Sequence, residues 1–383
     1  MFFCSSCAYR FVYAWKNLAL SSFSCKICYI VCMKWIISHK SALEIWRTTP
    51  ARIAVKGKRL RVMKPSNKPL DTNELRIEKF QNLSRPLHIL VGSKNARKAS
   101  KSLHCHISLA EIPDWSFIRM PNGLIVSSPE LCFLQMASEL SFIDLVMLGY
   151  EFCGSYRINK ENKSQDVQNK NKGFSNNLPL TSTSKLSSYA IKAVNLKGCK
   201  KARRAIDFIV DGSASPMETI LTMFLTLPYR FGGYGFPKPI LNFGIDMPSS
   251  NVDSYTDYPI LITVDSTGIK TSNAIDTLAN KSKYYCDLYW PDKKVSVEYD
   301  SDEYHTGTYR IEKDAIRRNA LASANITVVT ASRRQVNDTD KLRELAEVLS
   351  KLLKKRLTYA EAEFKHRHAI LRDQLMPKLP MNK

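Results

Sequence analysis

Apolar positions along the chain fall into two periods. Trp35-Ile-Ile, Leu43, Ile45 and Trp46 have helical spacing behind Ser38 or Ser41, which predicts a helix over 36–47. Leu87-His-Ile-Leu-Val91, closed by Gly92, predicts a strand, and a second is predicted from Leu103 to Leu109. Ser128-Pro-Glu opens an apolar helix carrying Leu131, Leu134, Met136 and Leu140, and another helix runs from Phe142 to Tyr150. Farther on, helices are predicted over 190–210 and 215–227, and strands over Tyr284–Trp290, Val295–Tyr299 and Ile326–Thr330. A helix over 310–324 separates the last two strands, and an amphipathic helix begins at Asp340 and ends near Leu357.

Polar, low-complexity sequence interrupts this pattern between 157 and 189, where Asn, Lys, Ser and Thr dominate. That composition reads as a solvated linker. The predicted organisation is a Cys-rich leader over 1–32, an α+β N-terminal domain over 33–156, the linker, an α/β domain over 190–357, and a basic helix and tail over 358–383. No internal repeat is visible.

Composition narrows the function. With 57 Lys+Arg against 35 Asp+Glu, the 383-residue chain carries a formal charge of +22. That is more than solubility requires, and it asks for a polyanionic partner. Hydrophobic content of 44% excludes a wholly disordered chain. No uncharged apolar run reaches about 18 residues, so no membrane span is expected, and a cytoplasmic location is. Of ten cysteines, Cys105, Cys132, Cys153, Cys199 and Cys286 sit among apolar neighbours and read as reduced core thiols. Cys4-x-x-Cys7 and Cys25-x-x-Cys28 have the spacing of a four-thiolate zinc site. The bulky residues after each pair, Ala8-Tyr9 and Tyr29-Ile30, argue against Zn²⁺ there, and Met33 is the alternative start.

The stretch Tyr285-Cys-Asp287 to Glu298-Tyr-Asp300, followed by His305, concentrates candidate chemistry. Its two strands and Pro-Asp turn predict a hairpin in which Ser296, Glu298 and Asp300 share one face. Hard cations such as Mg²⁺ need carboxylate oxygens from different elements, and phosphodiester hydrolysis needs such a cation. Ordinary readings stand beside this one. Asp287 fits a buried salt bridge, Glu298 and Asp300 fit edge-strand charges, His305 fits an exposed loop histidine, and Ser215-x-x-Glu218 is also a capping box. Gly232-Gly-Tyr-Gly reads as a turn, and the pairs His104/His106 and His366/His368 suggest no third ligand.

In order along the chain stand Ser215-Pro-Met-Glu218, Gly232-Gly-Tyr-Gly-Phe-Pro237 with Asn242, Cys286-Asp287-Leu, Val297-Glu298-Tyr-Asp300, His305, Asp314-x-x-Arg317-Arg-Asn-Ala-Leu321 and Ile326-Thr-Val-Val-Thr330. Over Ser215 to Arg334, about a third of the chain, this series resembles the family of the very-short-patch-repair endonuclease, within the PD-(D/E)XK nuclease superfamily. The region from Leu87 to Gly154 is more loosely similar to what precedes this module in some members. The resemblance implies a restriction-endonuclease-like mixed sheet flanked by helices and an Mg²⁺ site, with Mn²⁺ as a substitute. In that site Asp287 is the central ligand and Glu298 or Asp300 the second. His305 would take the proton-transfer role, and Glu218 would be the helix-borne acid at the rim. The superfamily lysine two residues after the strand glutamate is Asp300 here. Water activation would then fall to a second metal or to His305.

The expected activity is metal-dependent endonucleolytic hydrolysis of DNA. The alternative is a degenerate nuclease fold acting as a DNA-binding regulator or antitoxin-like protein, because some relatives sit in toxin–antitoxin or phage-defence contexts. Candidate DNA contacts are Lys200, Lys201, Arg203, Arg204, Arg317 and Arg318, joined by a C-terminal stripe from Lys351 to Arg372. A protein partner for the N-terminal domain is the remaining expectation.

Overall fold

Ile36–Ile37, expected to open a helix, instead form the first strand. Two consecutive β-branched residues fit a pleated surface better than a helix start. The computed structural model describes residues 35–54, 56–68, 80, 83–98, 100–159, 173–246, 263–265, 268–270, 283–300, 321, 323–357 and 361–376. The elements in order are β1 (Ile36–Ile37), α1 (His39–Thr48), α2 (Ala51–Ala54), β2 (Lys58–Leu60), β3 (Leu87–Val91), β4 (Leu103–Ile107), β5 (Phe117–Arg119), β6 (Ile125–Ser127), α3 (Pro129–Met136) and α4 (Phe142–Cys153). They continue as β7 (Tyr156–Ile158), β8 (Phe174–Asn176), α5 (Thr183–Lys192), α6 (Cys199–Ile206), α7 (Pro216–Thr226), β9 (Ile240–Asp246), β10 (Thr263–Asp265) and β11 (Gly268–Lys270). The chain closes with β12 (Lys283–Trp290), β13 (Val295–Asp300), β14 (Thr327–Ser332), α8 (Arg333–Asn337), α9 (Thr339–Leu352) and α10 (Glu361–Leu375).

The fold is mixed α/β. A six-stranded sheet has the order β2-β5-β6-β1-β3-β4. Within it β1 runs antiparallel to β3 and parallel to β6, and β3 runs parallel to β4 with His88 opposite His104. All five residues of β3 are buried, as a continuous apolar run in a covered strand should be. The second sheet is four-stranded, β14-β13-β12-β9. It is antiparallel from β9 to β13, and then β13 and β14 run parallel.

Local chemistry sets the helix starts. Ser128, Ser141 and Ser215 cap α3, α4 and α7 through their side-chain oxygens, and Pro follows at the first helical position of α3 and α7. The single helix expected over 190–210 is two. Gly198 lies at φ +90°, a region open chiefly to glycine, and breaks the run between α5 and α6.

One hydrophobic core runs from Trp35 to Leu375 and takes in both sheets and α1, α3, α4, α7, α9 and α10. Two expectations about domain organisation change accordingly. Residues 173–189, placed in the linker, include β8, which pairs with β7, and most of α5, whose Leu186 and Tyr189 are buried. The C-terminal helix α10 is likewise part of the core, with Phe364, His368, Leu371 and Leu375 buried. Cys105, Cys132, Cys153, Cys199 and Cys286 are free and buried, as expected. Among the described residues no helix is long and apolar enough to cross a membrane.

Candidate functional site

The four-stranded sheet carries a polar row across its width. The β12–β13 ladder pairs Leu288 with Val297, and one step further places Asp287 opposite Glu298. On the other side, Asp287 falls between the pairs Cys286 with Phe243 and Leu288 with Leu241, opposite Asn242. Glu298 pairs with Thr330 on β14. Asn242, Asp287, Glu298 and Thr330 therefore stand at neighbouring register positions on the four adjacent strands.

Hydrogen bonds hold the acids. Asp287 Oδ2 accepts the Tyr299 amide at 2.8 Å, which clamps the hairpin at its polar end. Glu298 Oε1 accepts from the buried hydroxyl of Ser296 at 2.8 Å. Asp300 follows on the same strand, opposite Ser332, at intermediate exposure.

Glu218 reaches this row from α7. Ser215 accepts the Glu218 amide at 3.2 Å, which is half of a capping box. The carboxylate does not complete the box. Glu218 Oε2 accepts the Ala214 amide at 2.9 Å and the Asn242 side-chain amide at 2.8 Å. Burial raises the Glu218 carboxyl above its ordinary value, opposed by hydrogen bonds from Ala214, Asn242 and Ser215, while the charge of Glu298 raises it further.

Asn242 makes this possible. It sits inside β9 at φ +50°, a conformation Asn tolerates better than other side chains. Both amide hydrogens are used, one on Glu218 and one on the Gly212 carbonyl at 2.9 Å. The only sequence sign of this role is an Asn followed by Phe-Gly within an otherwise apolar strand.

Other expected residues fall elsewhere. His305, Arg317, Arg318 and the cysteines at 4, 7, 25 and 28 lie outside the described residues, as does most of the helix expected over 310–324. Lys200, Lys201, Arg203 and Arg204 lie on α6, opposite its buried Cys199, Ala202, Ala205 and Ile206. Lys200, Arg203 and Arg204 are exposed; Lys201 donates to the Leu140 carbonyl, and Arg204 also lies 5.6 Å from the Phe142 ring centroid. In the C-terminal stripe, Arg367 pairs with Glu363 at 2.5 Å, and Arg372 donates to the carbonyls of Val336 and Asn337. Those two arginines serve packing. Gly232 and Gly235 have positive φ and form a turn, as expected.

A histidine cluster went unrecognised in the sequence. His39, His88, His104 and His106 gather where α1 meets β3 and β4, and Glu139 lies beside them. Among the described residues, His39, His106 and Glu139 form the one group of three or more potential ligands whose donor atoms all lie within 4.8 Å of one another. The parallel register of β3 with β4, which sets His88 beside His104, is invisible to local periodicity.

Comparison of the chain with protein-family models, with curated proteins and with solved structures returns no match.

Proposed function

We propose that the four-stranded sheet and α7 form a nuclease-like unit that hydrolyses phosphodiester bonds in DNA with a divalent cation, Mg²⁺ or Mn²⁺. The observation that carries this reading is the polar row Asn242–Asp287–Glu298, with Glu218 brought to it from α7 by the Asn242 amide. A mixed sheet flanked by helices is also what the resemblance to the very-short-patch-repair endonuclease family implies.

The donor set suits a hard cation. Asp287 and Glu298 are adjacent carboxylates on neighbouring strands, and Mg²⁺ is commonly held by one or two carboxylates together with substrate phosphate and water. Asp287 and Glu298 would hold the ion, with Asp300 at the open end of the row. Bound there, the cation stabilises phosphoryl charge and lowers the pKa of attacking water.

The chain's own groups have separate tasks. The Tyr299 amide fixes the Asp287 carboxylate through Oδ2. Ser296 orients Glu298. Glu218, whose carboxyl burial raises above its ordinary value, stands beside the row on the Asn242 amide. His305 is assigned proton transfer by the resemblance alone. The exposed Lys200 and Arg203 supply phosphate contacts that do not depend on base sequence.

A second reading keeps DNA binding without cleavage, as a regulator or antitoxin-like protein. Two observations favour it. Asp300 stands where the superfamily has lysine, and the oxygens of Glu218, Asp287 and Glu298 are not among the groups drawn within 4.8 Å of one another. Plasmid conversion by wild type and Asp287→Asn, with Mg²⁺, Mn²⁺ or EDTA, separates the readings. Asparagine keeps an acceptor for the Tyr299 amide but removes the charge.

A further inference from the structure

We propose that His39, His106 and Glu139 form a binding site for a divalent transition-metal ion of the zinc class, remote in sequence from the carboxylate row. Their ligand atoms all lie within 4.8 Å of one another, and they come from three elements: the start of α1, strand β4 and the turn between α3 and α4. Two imidazoles and a carboxylate suit Zn²⁺, Co²⁺ or Ni²⁺ and select against Mg²⁺ and Ca²⁺, which prefer an all-oxygen shell.

The surrounding contacts are those that prepare histidines to ligate. His39 Nδ1 lies 3.0 Å from the Ser38 hydroxyl, and His106 Nε2 lies 2.8 Å from His88 Nδ1. Each ring thus has one nitrogen fixed by a neighbour, which sets the tautomer and orientation of the other. The backbone contributes as well. His39 sits at φ +47°, a costly conformation for a residue with a side chain, and its amide is held by Gln135 Oε1 at 3.0 Å.

His39 and His106 are stacked with centroids 3.3 Å apart and planes 8° from parallel, and His104 lies 4.6 Å from His106. Lys40 now pairs with Glu139 at 3.4 Å, and its side chain is 64% exposed, free to swing away when a metal takes the carboxylate. A cleft of about 570 Å³, lined by His88, His104, His106, Glu139 and Lys40, provides the route in.

The test uses the full chain stripped with EDTA and titrated with Zn²⁺ against a chromophoric chelator, and then with Co²⁺ followed by visible absorption. Wild type should bind about one more equivalent than Glu139→Gln or His106→Ala, or bind it at least ~10-fold more tightly. Glu139→Gln keeps the size of a turn side chain that is 22% exposed and bonded, among the described residues, only to the exposed Lys40, so it tests ligation more than folding. The Co²⁺ bands at this site should lack thiolate charge transfer, and Asp287→Asn should leave them unchanged. Equal stoichiometry and affinity in wild type and Glu139→Gln would overturn the proposal, as would bands carrying only thiolate character or no saturable binding.

Discussion

The Asn242 side chain donates to Glu218 Oε2 at 2.8 Å, and this single contact joins strand β9 to the buried N-terminal turn of α7. Asn242→Gly keeps the left-handed backbone unstrained while deleting the donor. It should destabilise the protein by about 1–2 kcal/mol, the cost of removing one of the two donors to Glu218 Oε2 together with the bond to the Gly212 carbonyl. Denaturant melts measure this; a change within ~0.5 kcal/mol would mean that water replaces the amide.

Arg59 pairs with Glu130 at 3.0 Å, and the Glu130 side chain is 4% exposed. Burial by itself would raise the Glu130 carboxyl, but the charge and hydrogen bonds of Arg59, with a hydrogen bond from Thr181, outweigh it and hold the group below its ordinary value of 4.5. A depressed folded pKa contributes stability that is complete above the unfolded value and lost as pH falls through the folded one. Stability should therefore decline with acid below about pH 4.5, and Glu130→Gln should flatten that limb while lowering stability near neutrality. Parallel acid limbs in the two proteins would remove Glu130 from the account.

Gly232 lies at φ +87°, and a Cβ placed there would clash with the Arg367 carbonyl of α10. Gly232→Ala should cost on the order of 1–3 kcal/mol by strain and by pushing α10 from its seat on Phe224 and Tyr234. Thermal melting is the readout, and an unchanged midpoint would show that α10 docks loosely.

On α6, Lys200, Arg203 and Arg204 are exposed, but Arg204 already stacks over the Phe142 ring and Lys201 donates to the Leu140 carbonyl. The double variant Lys200→Ala/Arg203→Ala should weaken DNA retention and reduce the slope of log affinity against log salt by about two. Changing Arg204 alone should have a smaller effect. A wild-type slope in the double variant would place the DNA face elsewhere.

Much of the fold was legible because several elements carry their own signals. Ser128-Pro129 and Ser215-Pro216 mark helix starts through capping, and the β-branched pair Val295 and Val297 marks a strand, buried on both faces there. Apart from the local break at Gly198, the failures trace to contacts distant in sequence. Ile36–Ile37 became a strand because β3 and β6 flank it, and residues 173–189 ordered because β7 and the core accept them. The acids of the candidate site could be named from the sequence. Asn242's grip on Glu218 could not, nor could the gathering of four histidines from α1, β3 and β4, since each depends on strand register and not on local pattern.

The most direct test of the central claim is conversion of supercoiled plasmid by purified protein in Mg²⁺, Mn²⁺ or EDTA, run beside Asp287→Asn. The account predicts nicking or linearisation that requires the metal and falls at least ~10-fold in the variant, with plasmid binding retained. Equal binding with no cutting by either protein in any metal, or equal cutting by both, would contradict it.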